Sequence, residues 1–476
     1  MKIQLPQNVD YIINELGNNG YEAFAVGGCV RDSILGREPE DWDITTKATP
    51  LEVKRIFRRT IDTGIQHGTV TVMLDKAGYE VTTYRIDGEY EDNRHPKAVS
   101  FTEDLIEDLK RRDFTINAMA YNKERGLVDA FDGLSDIKTG IIRCVGSASE
   151  RFEEDALRIL RAVRFCAQLG FAIDEDTLAA VRKKADNLKS ISAERIRVEL
   201  NKLLLSPHPE KLIMAYETGI TKIIFPEFNK MMETEQKNYY HKYSVGEHAI
   251  KTVQALSKDW LTPVTQKEET NVKEPVKVNF SLKEHTILCW TMLLHDVGKP
   301  ACKTTDAKGD HFYGHAKAGA EKAREVLKRL KFDNETIDTV FRLVLWHDYR
   351  FTLTPPAMRK AVNKIGDDIM ELLFEVQKAD ILGKNPEVFE EKFLALYKAK
   401  RLFYEIRQKQ ECVSLKNLKI NGKDLIALGF MPGAELGKAL SDLLNIVLED
   451  PNLNEKEVLS QLAKKYLKAL DFKTNK

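Results

Sequence analysis

The sequence predicts an α+β fold in which a mixed head of strands and helices precedes an all-helical remainder. Two observations support this prediction. The segments Gly68–Leu74 and Tyr79–Ile86 alternate apolar and polar residues, as half-buried strands do. From about Ser149 the apolar residues recur instead at helical spacing, as in EEDALRILRAVRFCAQLG. A mixed α/β head joined to helical domains is therefore expected.

The helical part is long enough for several domains. Polar residues 258–281 break the helical period and indicate a surface insertion, with Trp260 as a candidate buried anchor. The expected division is a head at 1–140, a neck at 141–235, a third domain with the insertion at 236–385, and a tail at 386–476.

Composition narrows the class of protein. The 476 residues carry 73 basic and 73 acidic side chains, so any binding to nucleic acid must rest on local patches. The six cysteines form no CxxC pair, which suits a reducing compartment and excludes a zinc ribbon. Neither a signal peptide pattern nor a membrane-spanning apolar run is visible. We expect a cytoplasmic protein without a membrane partner, and the oligomeric state stays open.

The segment VGGCVRDSILGREPEDWDIT (Val26–Thr45) is the most informative of the chain. It indicates a strand, a double-glycine turn at Gly27 and Gly28, a short helix, and a second strand carrying Asp41 and Asp43. Glycine permits close backbone approach, and free N–H groups at a helix start favour a bound phosphate. On a strand, residues two apart point to the same side. The segment thus places two carboxylates opposite a phosphate-binding turn.

Such a pair of carboxylates suits two Mg²⁺ ions about 3.5–4 Å apart, the arrangement used for in-line displacement at phosphorus. Arg31 is available for a phosphate, and Glu80 on the strand Tyr79–Ile86 offers a third carboxylate. A DxD or GG pair alone is common in loops. Joined in this order they indicate nucleotidyl transfer, with Asp41, Asp43 and Glu80 as catalytic residues and Asp41 and Asp43 as Mg²⁺ ligands.

Asp155 and Arg158 lie three residues apart on a strongly helical segment, so they are expected on one face, which Arg161 and Arg164 extend. Arginine can donate to N3 and O2 of cytosine while aspartate accepts from N4, and the same pair suits N1 and N6 of adenine. Uracil and guanine leave groups unpaired, at about 1–3 kcal/mol each. From these residues alone, an ordinary helical ion pair is the preferred interpretation.

A second cluster of polar residues lies in the helical part. His295 and Asp296 end the apolar run TILCWTMLLHDVGKP, with His248 upstream and Asp380 downstream. Imidazole and carboxylate groups are ligands for a divalent transition metal. This pattern resembles the HD phosphohydrolase domain, in which hydrolysis of a phosphate ester would be expected. The residues that could complete a second metal position are His315 and His347.

Together the head and neck motifs resemble the class II CCA-adding enzymes of tRNA and the bacterial poly(A) polymerases. The resemblance rests on Val26–Thr45, on RRDFTINAMAY (Arg111–Tyr121) and on the pattern EDxLRxxRAxRF. It implies a polymerase-β-like head, with neck residues that choose the base in place of a template. The nucleotide would be bound by Gly27, Gly28, Arg31, Arg112, Asp155, Arg158, Arg161 and Arg164.

Three further segments bear on the choice within this family. The loop Glu89–Phe101 resembles the flexible loop that CC-adding relatives lack in intact form. Thr63–Val70 lacks the paired basic residues usual in poly(A) polymerases, which favours CCA addition. SAERIRVEL (Ser192–Leu200) matches the neck, with Glu194 and Arg197 as structural or base-orienting residues.

In the tail, the run DLIALGFMPGAELG resembles the tails of CCA-adding enzymes. Gly433 and Gly437 flank an expected helix start, where backbone N–H groups can meet an RNA phosphate without reading sequence. Lys423 and Lys438 would add salt-dependent affinity. A plain helix–turn–helix packing unit is an equally good interpretation of the residues alone.

The expected function is CCA addition to tRNA 3′ ends from CTP and ATP with Mg²⁺. The nearest alternative is an enzyme that adds only A, to tRNA or as a poly(A) polymerase. An alternative of another class is an HD phosphohydrolase that acts on RNA ends or nucleotides and uses the head to dock RNA.

Overall fold

The computed structural model describes residues 2–88, 99–236, 243–257, 279–307, 309–384 and 389–474. The chain divides into two compact units, residues 1–229 and residues 230–476. This division lies close to the boundary expected at 235/236, and the four-part scheme stays a prediction. Residues 89–98 of the expected loop lie outside the described residues, as do residues 258–278 of the expected insertion with Trp260.

The first unit places a sheet before a series of helices. Its elements are α1 (Gln7–Asn18), β1 (Ala23–Val26), α2 (Gly28–Ile34), β2 (Ile44–Thr46), α3 (Pro50–Ile56), β3 (Thr60–Gly64), β4 (Thr69–Leu74), β5 (Ala77–Thr83), β6 (Arg85–Asp87), β7 (Val99–Phe101), α4 (Leu105–Lys110), β8 (Met119–Asn122), β9 (Gly126–Asp129), α5 (Gly133–Thr139), β10 (Ile141–Ile142), α6 (Ala148–Glu154), α7 (Leu157–Leu169), β11 (Ala172–Ile173), α8 (Glu175–Lys184), α9 (Ala193–Leu204), α10 (Leu212–Glu217) and α11 (Ile220–Ile224), and α12 (Pro226–Met232) follows. The expected mixed head followed by helices is confirmed.

Seven strands form the main sheet in the order β3-β4-β5-β2-β1-β8-β9. Strand β1 pairs antiparallel with β2 and β8, whereas β2 and β5 run parallel. Ile44 of β2 lies opposite Val81 of β5. The residues just before this pair, Asp43 and Glu80, therefore lie side by side on chains about 4.8 Å apart.

The two carboxylates expected on the second strand lie just ahead of it, which corrects that prediction. Strand β2 begins at Ile44, and Asp41 and Asp43 occupy the segment before it. The N–H of Val26 donates to the carbonyl of Asp43 (3.0 Å), so β1 still holds this segment by its backbone. Strand β2 is short because the run before it, residues 37–42, is polar and contains a proline. This run forms no strand.

The β4–β5 hairpin turns one residue earlier than Lys76–Gly78, the segment expected from the sequence. Leu74 pairs with Ala77, so Asp75 and Lys76 form a two-residue turn. Both have positive φ angles, 47° and 68°, as the type I′ turn of tight hairpins requires. The turn places Glu80 three residues into β5, beside Asp43.

The helix expected to carry both Asp155 and Arg158 is broken between them. Helix α6 ends at Glu154 and α7 begins at Leu157, and Asp155 has an extended conformation (φ −136°, ψ 102°). Its carboxylate accepts a hydrogen bond from the N–H of Leu157 (3.0 Å). Aspartate competes with helical hydrogen bonding in this way. The prediction of one shared helical face is therefore wrong.

The second unit is helical apart from one short hairpin, within the part of it that the structure describes. Its elements are α13 (Val245–Ser257), α14 (Leu282–Leu294), α15 (Lys299–Cys302), β12 (Thr304–Asp306), β13 (Gly309–His311), α16 (His315–Arg329), α17 (Asn334–Trp346), α18 (Pro355–Ile365), α19 (Met370–Leu382), α20 (Phe389–Gln408), α21 (Gly422–Ala427), α22 (Ala434–Glu449) and α23 (Lys456–Thr474). Helix α14 is buried from Ile287 to Leu294 and packs against α13, α17 and α19. Its end at His295 therefore lies inside the unit.

Near the C-terminus a separate apolar cluster joins α21, α22 and α23. Leu425, Phe430, Leu443, Val447 and Leu459 are among its buried members. This packing fixes the turn between α21 and α22, which contains Gly433, and the first turn of α22, which contains Gly437. Among the described residues, no helix is both long and apolar enough to cross a membrane.

Candidate functional sites in the head and in the helical unit

The three carboxylates predicted in the head lie close enough to influence one another. One side of Asp43 stays open to solvent, but protein atoms crowd the other, and this burial raises the pKa of its carboxyl. Arg112 opposes the rise and Asp41 adds to it. The pKa of Glu80 is raised by burial, by Asp43 and by Asp41. Carboxylate oxygens are hard ligands, so these residues offer donors for a divalent cation.

The double-glycine turn lies beneath two arginine side chains. Gly27 has a φ of +84°, and a Cβ built on it would lie 3.0 Å from Nη1 of Arg112. A Cβ on Gly28 would lie 3.7 Å from Nη2 of Arg31. The Nε of Arg112 is buried without a hydrogen-bond partner, and its guanidinium lies 3.6 Å from Asp108. Two glycines and a partly unpaired guanidinium therefore leave a place where an anion can bind.

Arg31 belongs to a hydrogen-bonded chain that the sequence analysis did not identify. It donates to both carboxylate oxygens of Asp32 (2.9 and 2.8 Å) and to Oδ1 of Asn117 (2.6 Å). Nδ2 of Asn117 donates in turn to Asp113 (3.1 Å), which accepts two further bonds from Arg161. Asn117 thus links Arg31, the arginine predicted to bind the triphosphate, to Arg161 on helix α7 through Asp113. The only indication of this role in the sequence was the position of Asn117 four residues after Asp113.

The predicted base-selecting residues lie on the two sides of the α6–α7 break. Asp155 accepts a hydrogen bond from Nη2 of Arg195 (2.8 Å). Arg158 donates to Glu154 (2.6 Å) and to the carbonyl of Arg111 (2.8 Å). The two side chains therefore have different hydrogen-bond partners, Arg195 for Asp155 and Glu154 with Arg111 for Arg158. Arg195, two residues from the predicted Arg197, is the group on α9 that holds Asp155.

Arg161 and Arg164, predicted to bind the nucleotide, are engaged by protein carboxylates. Arg161 binds Asp113 with two hydrogen bonds of 2.8 and 2.6 Å. Arg164 donates to Glu199 (2.5 Å), and the two side chains are only 6% and 5% exposed. Burial lowers the pKa of Arg164 to about 10. This geometry favours a structural role for Arg164, because its guanidinium is enclosed within the neck.

In the second unit, four predicted residues converge on one point. Nε2 of His248 lies 3.1 Å from Asp380 Oδ1, 3.3 Å from His295 Nε2 and 3.7 Å from Asp296 Oδ2. His295 Nε2 lies 3.2 Å from the same Asp296 oxygen. Two imidazoles and two carboxylates around one volume match the donor set and spacing of a metal site.

The two further histidines form a second set on the other oxygen of Asp296. Nε2 of His315 and of His347 lie 3.5 and 3.7 Å from Asp296 Oδ1, and 3.3 Å from each other. Asp296 thus belongs to both sets, and the sets together could hold two metal ions.

Backbone carbonyls orient all four imidazoles in the same way. Nδ1 lies 3.2 Å from the carbonyl of Gly383 in His248 and 2.7 to 2.8 Å from a nearby carbonyl in the other three. A carbonyl can only accept, so Nδ1 carries a proton. The lone pair on Nε2 of the neutral ring can then bind a metal. Nε2 atoms that face each other at 3.3 Å repel unless a proton or a cation lies between them. The arrangement therefore fits a metal better than ordinary packing.

Lysines neutralise the carboxylates of this centre. Nζ of Lys299 lies 2.7 Å from Asp296 Oδ2 and 2.7 Å from Gln236 Oε1, and Lys384 pairs with Asp380. Burial opposes a positive charge on His295, but Asp296 and Asp380 outweigh it and raise its pKa to about 9. Burial and the neighbouring His295 lower the pKa of His347 to about 4. The sequence analysis did not identify Gln236, Lys299 or Lys384 as members of the centre.

The four residues predicted to bind RNA lie exposed around the α21–α22 turn. Gly433, with a φ of +147°, directly precedes helix α22, and neither it nor Gly437 has a neighbour within 4 Å of an added Cβ. Lys423 and Lys438 lie near the starts of the two helices. Among the described residues, no neighbouring atom blocks either glycine, so a phosphate could approach the backbone here.

Family models match three parts of the chain. They are the poly A polymerase head domain over residues 23–143, the probable RNA and SrmB-binding site of polymerase A over 170–232, and a putative tRNA nucleotidyltransferase domain 2 over 311–463. The first covers the carboxylate site and both glycines. The third begins at His311 and extends through the tail, across the boundary expected at 385/386.

Relatives match over nearly the full length. The CCA-adding enzyme of Leuconostoc mesenteroides subsp. mesenteroides is 32% identical, with 98% of this chain and 99% of that enzyme covered. The CCA-adding enzyme of Ligilactobacillus salivarius is 34% identical, with 96% and 95% covered. The crystal structure of the Bacillus stearothermophilus CCA-adding enzyme in complex with CTP is 29% identical, covers 99% of this chain and all of that one, and has a TM-score of 0.70. The chain therefore belongs to the family of CCA-adding enzymes and is a nucleotidyltransferase.

Proposed function

We propose that this protein adds CCA to the 3′ ends of tRNA, with CTP and ATP as donors. The observation that carries the proposal is the group of Asp41, Asp43 and Glu80 beside the Gly27 turn, over which Arg112 holds an unpaired donor. The related Bacillus stearothermophilus enzyme was crystallised in complex with CTP, which supports the choice of donor. The free state of all six cysteines agrees with the cytoplasm, where tRNA is processed.

Nucleotidyltransferases depend on a divalent metal, and we assign Mg²⁺ to Asp41 and Asp43, with Glu80 beside them. When bound there, Mg²⁺ would supply a Lewis acid and offset the negative charge that develops on the phosphates. Arg112 and Arg31 orient the triphosphate over the two glycines. The 3′ hydroxyl oxygen of tRNA bonds to the α-phosphorus, the bond to the β-phosphate breaks, pyrophosphate leaves, and the hydroxyl proton passes to solvent.

Asp155 and Arg158 select the base. A bound base must draw Arg158 towards it and donate hydrogen bonds to the carboxylate of Asp155. Arg195 holds this carboxylate in place. Cytosine and adenine each offer an amino donor to the aspartate and a ring acceptor to the arginine. Uracil and guanine present the wrong partner, and each unpaired buried group costs about 1–3 kcal/mol, or about 5- to 150-fold in affinity.

Transfer assays on three tRNAs test this function. The tRNAs end before CCA, after C and after CC, and each is offered one nucleoside triphosphate at a time. We expect C on the first two and A on the third. Incorporation of A alone, on the CC-ending tRNA only, would contradict full CCA addition. The protein would then be an enzyme that adds only A.

Variants of the carboxylates test the metal assignment. Asp43→Asn should abolish transfer, whereas Asp75→Asn, in the β4–β5 turn, is the matched control and should leave it unchanged. Persistent activity in Asp43→Asn would overturn the assignment.

For the tail, we propose that the backbone around Gly433 and Gly437 binds a tRNA phosphate, with Lys423 and Lys438 beside it. The logarithm of the affinity falls linearly with the logarithm of the salt concentration, and each lysine that neutralises a phosphate should make this slope steeper by about 0.9. Lys423→Ala and Lys438→Ala should each lower this slope by about 1 without changing the choice of nucleotide. An unchanged slope in both variants would exclude contact between these lysines and RNA.

A second function is favoured by the four backbone-oriented imidazoles. We propose that His248, His295, Asp296 and Asp380 hold one divalent transition metal, and that His315 and His347 complete a second position on Asp296. When bound, the metals would activate water for hydrolysis of a phosphate ester. Water adds a hydroxyl to phosphorus, the ester P–O bond breaks, and the leaving alcohol takes the proton.

Metal analysis of the purified protein tests this second function. We expect close to two equivalents of a transition metal such as Mn²⁺ or Co²⁺ per chain, and hydrolysis of bis(p-nitrophenyl) phosphate. His295→Ala and His315→Ala should lower both, while His285→Ala, in the first turn of α14, is the control. Metal content that does not depend on His295 would contradict the proposal.

A further inference from the structure

The turn between β13 and α16 connects an exposed aromatic ring to the metal centre. Phe312, Tyr313 and Gly314 form this turn. The carbonyl of Phe312 accepts hydrogen bonds from the backbone N–H of His315 (3.2 Å) and from its Nδ1 (2.8 Å). The segment that orients one of the proposed metal ligands therefore also fixes the backbone of Tyr313.

Tyr313 is among the most exposed large hydrophobic residues of the described chain, at 79%. Its ring nevertheless has a fixed orientation, because it stacks on His311 with 5.4 Å between ring centroids and 8° between the planes. Nε2 of His311 lies 3.0 Å from Asp306 on the partner strand of the hairpin. One face of the tyrosine is thus supported by a ring that is itself held, and the other face is open.

A cationic side chain lies beside Asp380, one of the proposed metal ligands. Lys384 pairs with this aspartate. Burial and the charge of Lys384 lower the pKa of Lys392 on α20, Arg350 adds to this, and Asp380 opposes it. The positive charge of Lys384 beside Asp380 is a favourable setting for a phosphate.

We propose that the open face of Tyr313 stacks the base of a nucleoside phosphate whose phosphate group reaches the metal centre. This inference rests on the proposed hydrolytic function and adds to it the residue that binds the base of the substrate. A pre-oriented ring loses little freedom on binding, and stacking tolerates any base because every base has a π-face. The same chemistry is offered by a free nucleotide and by the 3′ end of an RNA.

Photochemical cross-linking locates the base without requiring activity. The protein is stripped of metal and irradiated with 5-iodouridine 5′-monophosphate, and the modified peptides are identified by mass spectrometry. We expect a cross-link on the peptide that contains Tyr313, absent from Tyr313→Ala and kept in the control Tyr11→Ala, which removes an exposed tyrosine of α1. Cross-links confined to peptides of the head would overturn the proposal.

Hydrolysis of two matched substrates separates base stacking from general damage to the site. Uridine 5′-monophosphate and ribose 5-phosphate share a phosphate ester and differ in the base. Tyr313→Ala should raise KM for the uridine nucleotide about 10- to 100-fold, the worth of one stacked base, and leave KM for ribose 5-phosphate unchanged. Tyr313→Phe should restore the wild-type value, because the ring suffices. Equal changes for both substrates would overturn the stacking role.

Two outcomes distinguish this inference from the function on which it rests. If the metal-loaded wild type hydrolyses neither these substrates nor an oligoribonucleotide with a 3′-phosphate, the hydrolytic function fails, and the cross-link alone decides whether Tyr313 binds a base. If hydrolysis occurs, the ratio of kcat/KM for the oligoribonucleotide to that for the free nucleotide identifies which source is the substrate.

Discussion

The buried pair of Arg164 and Glu199 permits a prediction about stability that also tests a proposed role. Glu199→Leu would leave the Arg164 guanidinium enclosed, with its hydrogen bond to Gln168 but without a carboxylate partner. Removal of one partner from a buried ion pair costs about 3–5 kcal/mol, whereas replacement of both by apolar groups is often close to neutral. We therefore expect the free energy of unfolding to fall by about 3–5 kcal/mol in Glu199→Leu and to recover in Arg164→Met/Glu199→Leu.

The size of this effect is measurable by calorimetry. For a unit of 150–250 residues, about 1 kcal/mol corresponds to about 2–4 °C in Tm. The transition that belongs to residues 1–229 should therefore fall by about 6–20 °C in Glu199→Leu. The control is Arg125→Met, which removes an exposed pair with Glu22 and should cost about 0.2–1 kcal/mol.

The same variants decide between a structural and a nucleotide-binding role for Arg164. If the role is structural, the double variant adds C and A with nearly normal kcat/KM below its Tm. If the double variant is stable but has lost its discrimination between bases, Arg164 contacts the nucleotide, as the sequence analysis predicted. A Tm unchanged in Glu199→Leu would refute the electrostatic reasoning itself.

Three further substitutions give distinct expected outcomes. Gly27→Ala places a Cβ 3.0 Å from Arg112 at a φ of +84°, and strain of about 1–3 kcal/mol should lower kcat/KM for nucleotide addition about 5- to 150-fold. Asn117→Ala removes the acceptor of the buried Nη1 of Arg31, while Asp113 keeps its bond from the N–H of Phe114, so KM for CTP should rise about tenfold, as measured by steady-state kinetics. Gly383→Ala brings a Cβ within 3.2 Å of the His248 ring, so metal content measured by mass spectrometry should fall while CCA addition continues.

Controls for these substitutions come from the same chain. Gly17→Ala, on α1 with open space around it, should leave kinetics and metal content unchanged. Equal kcat/KM in Gly27→Ala and Gly17→Ala would show that the turn tolerates a side chain. An unaltered KM in Asn117→Ala would mean that the hydrogen-bonded chain to α7 does not position Arg31. Normal metal content in Gly383→Ala would place the metal ligands elsewhere.

Local patterns were sufficient to predict the sheet, the helical remainder and the order of the motifs. The double-glycine turn, the alternating strand that carries Glu80 and the helical spacing after Ser149 each depend on neighbouring residues. The six metal-binding candidates were also visible, because a buried histidine beside a carboxylate is uncommon in an apolar helix.

Other features depended on partners that are distant in the sequence. Asp155 lies in a run with strong helical propensity, and its hydrogen bonds to Leu157 and to Arg195 break the helix. The pairing of Arg164 with Glu199 joins residues 35 positions apart. Periodicity contains no information on which carboxylate an arginine will meet, so the neck could be identified but its internal pairs could not.

His295 and His347 each follow the last residue of a long helix and bind, through Nδ1, the carbonyl three residues before. Helix ends always leave such carbonyls without an intrahelical partner. The orientation of these ligands is therefore supplied by the backbone, and substitutions of neighbouring side chains that keep the helix intact should leave it unchanged. A designer could use the same rule to install an oriented imidazole in another helical protein by replacing only the residue that ends a helix.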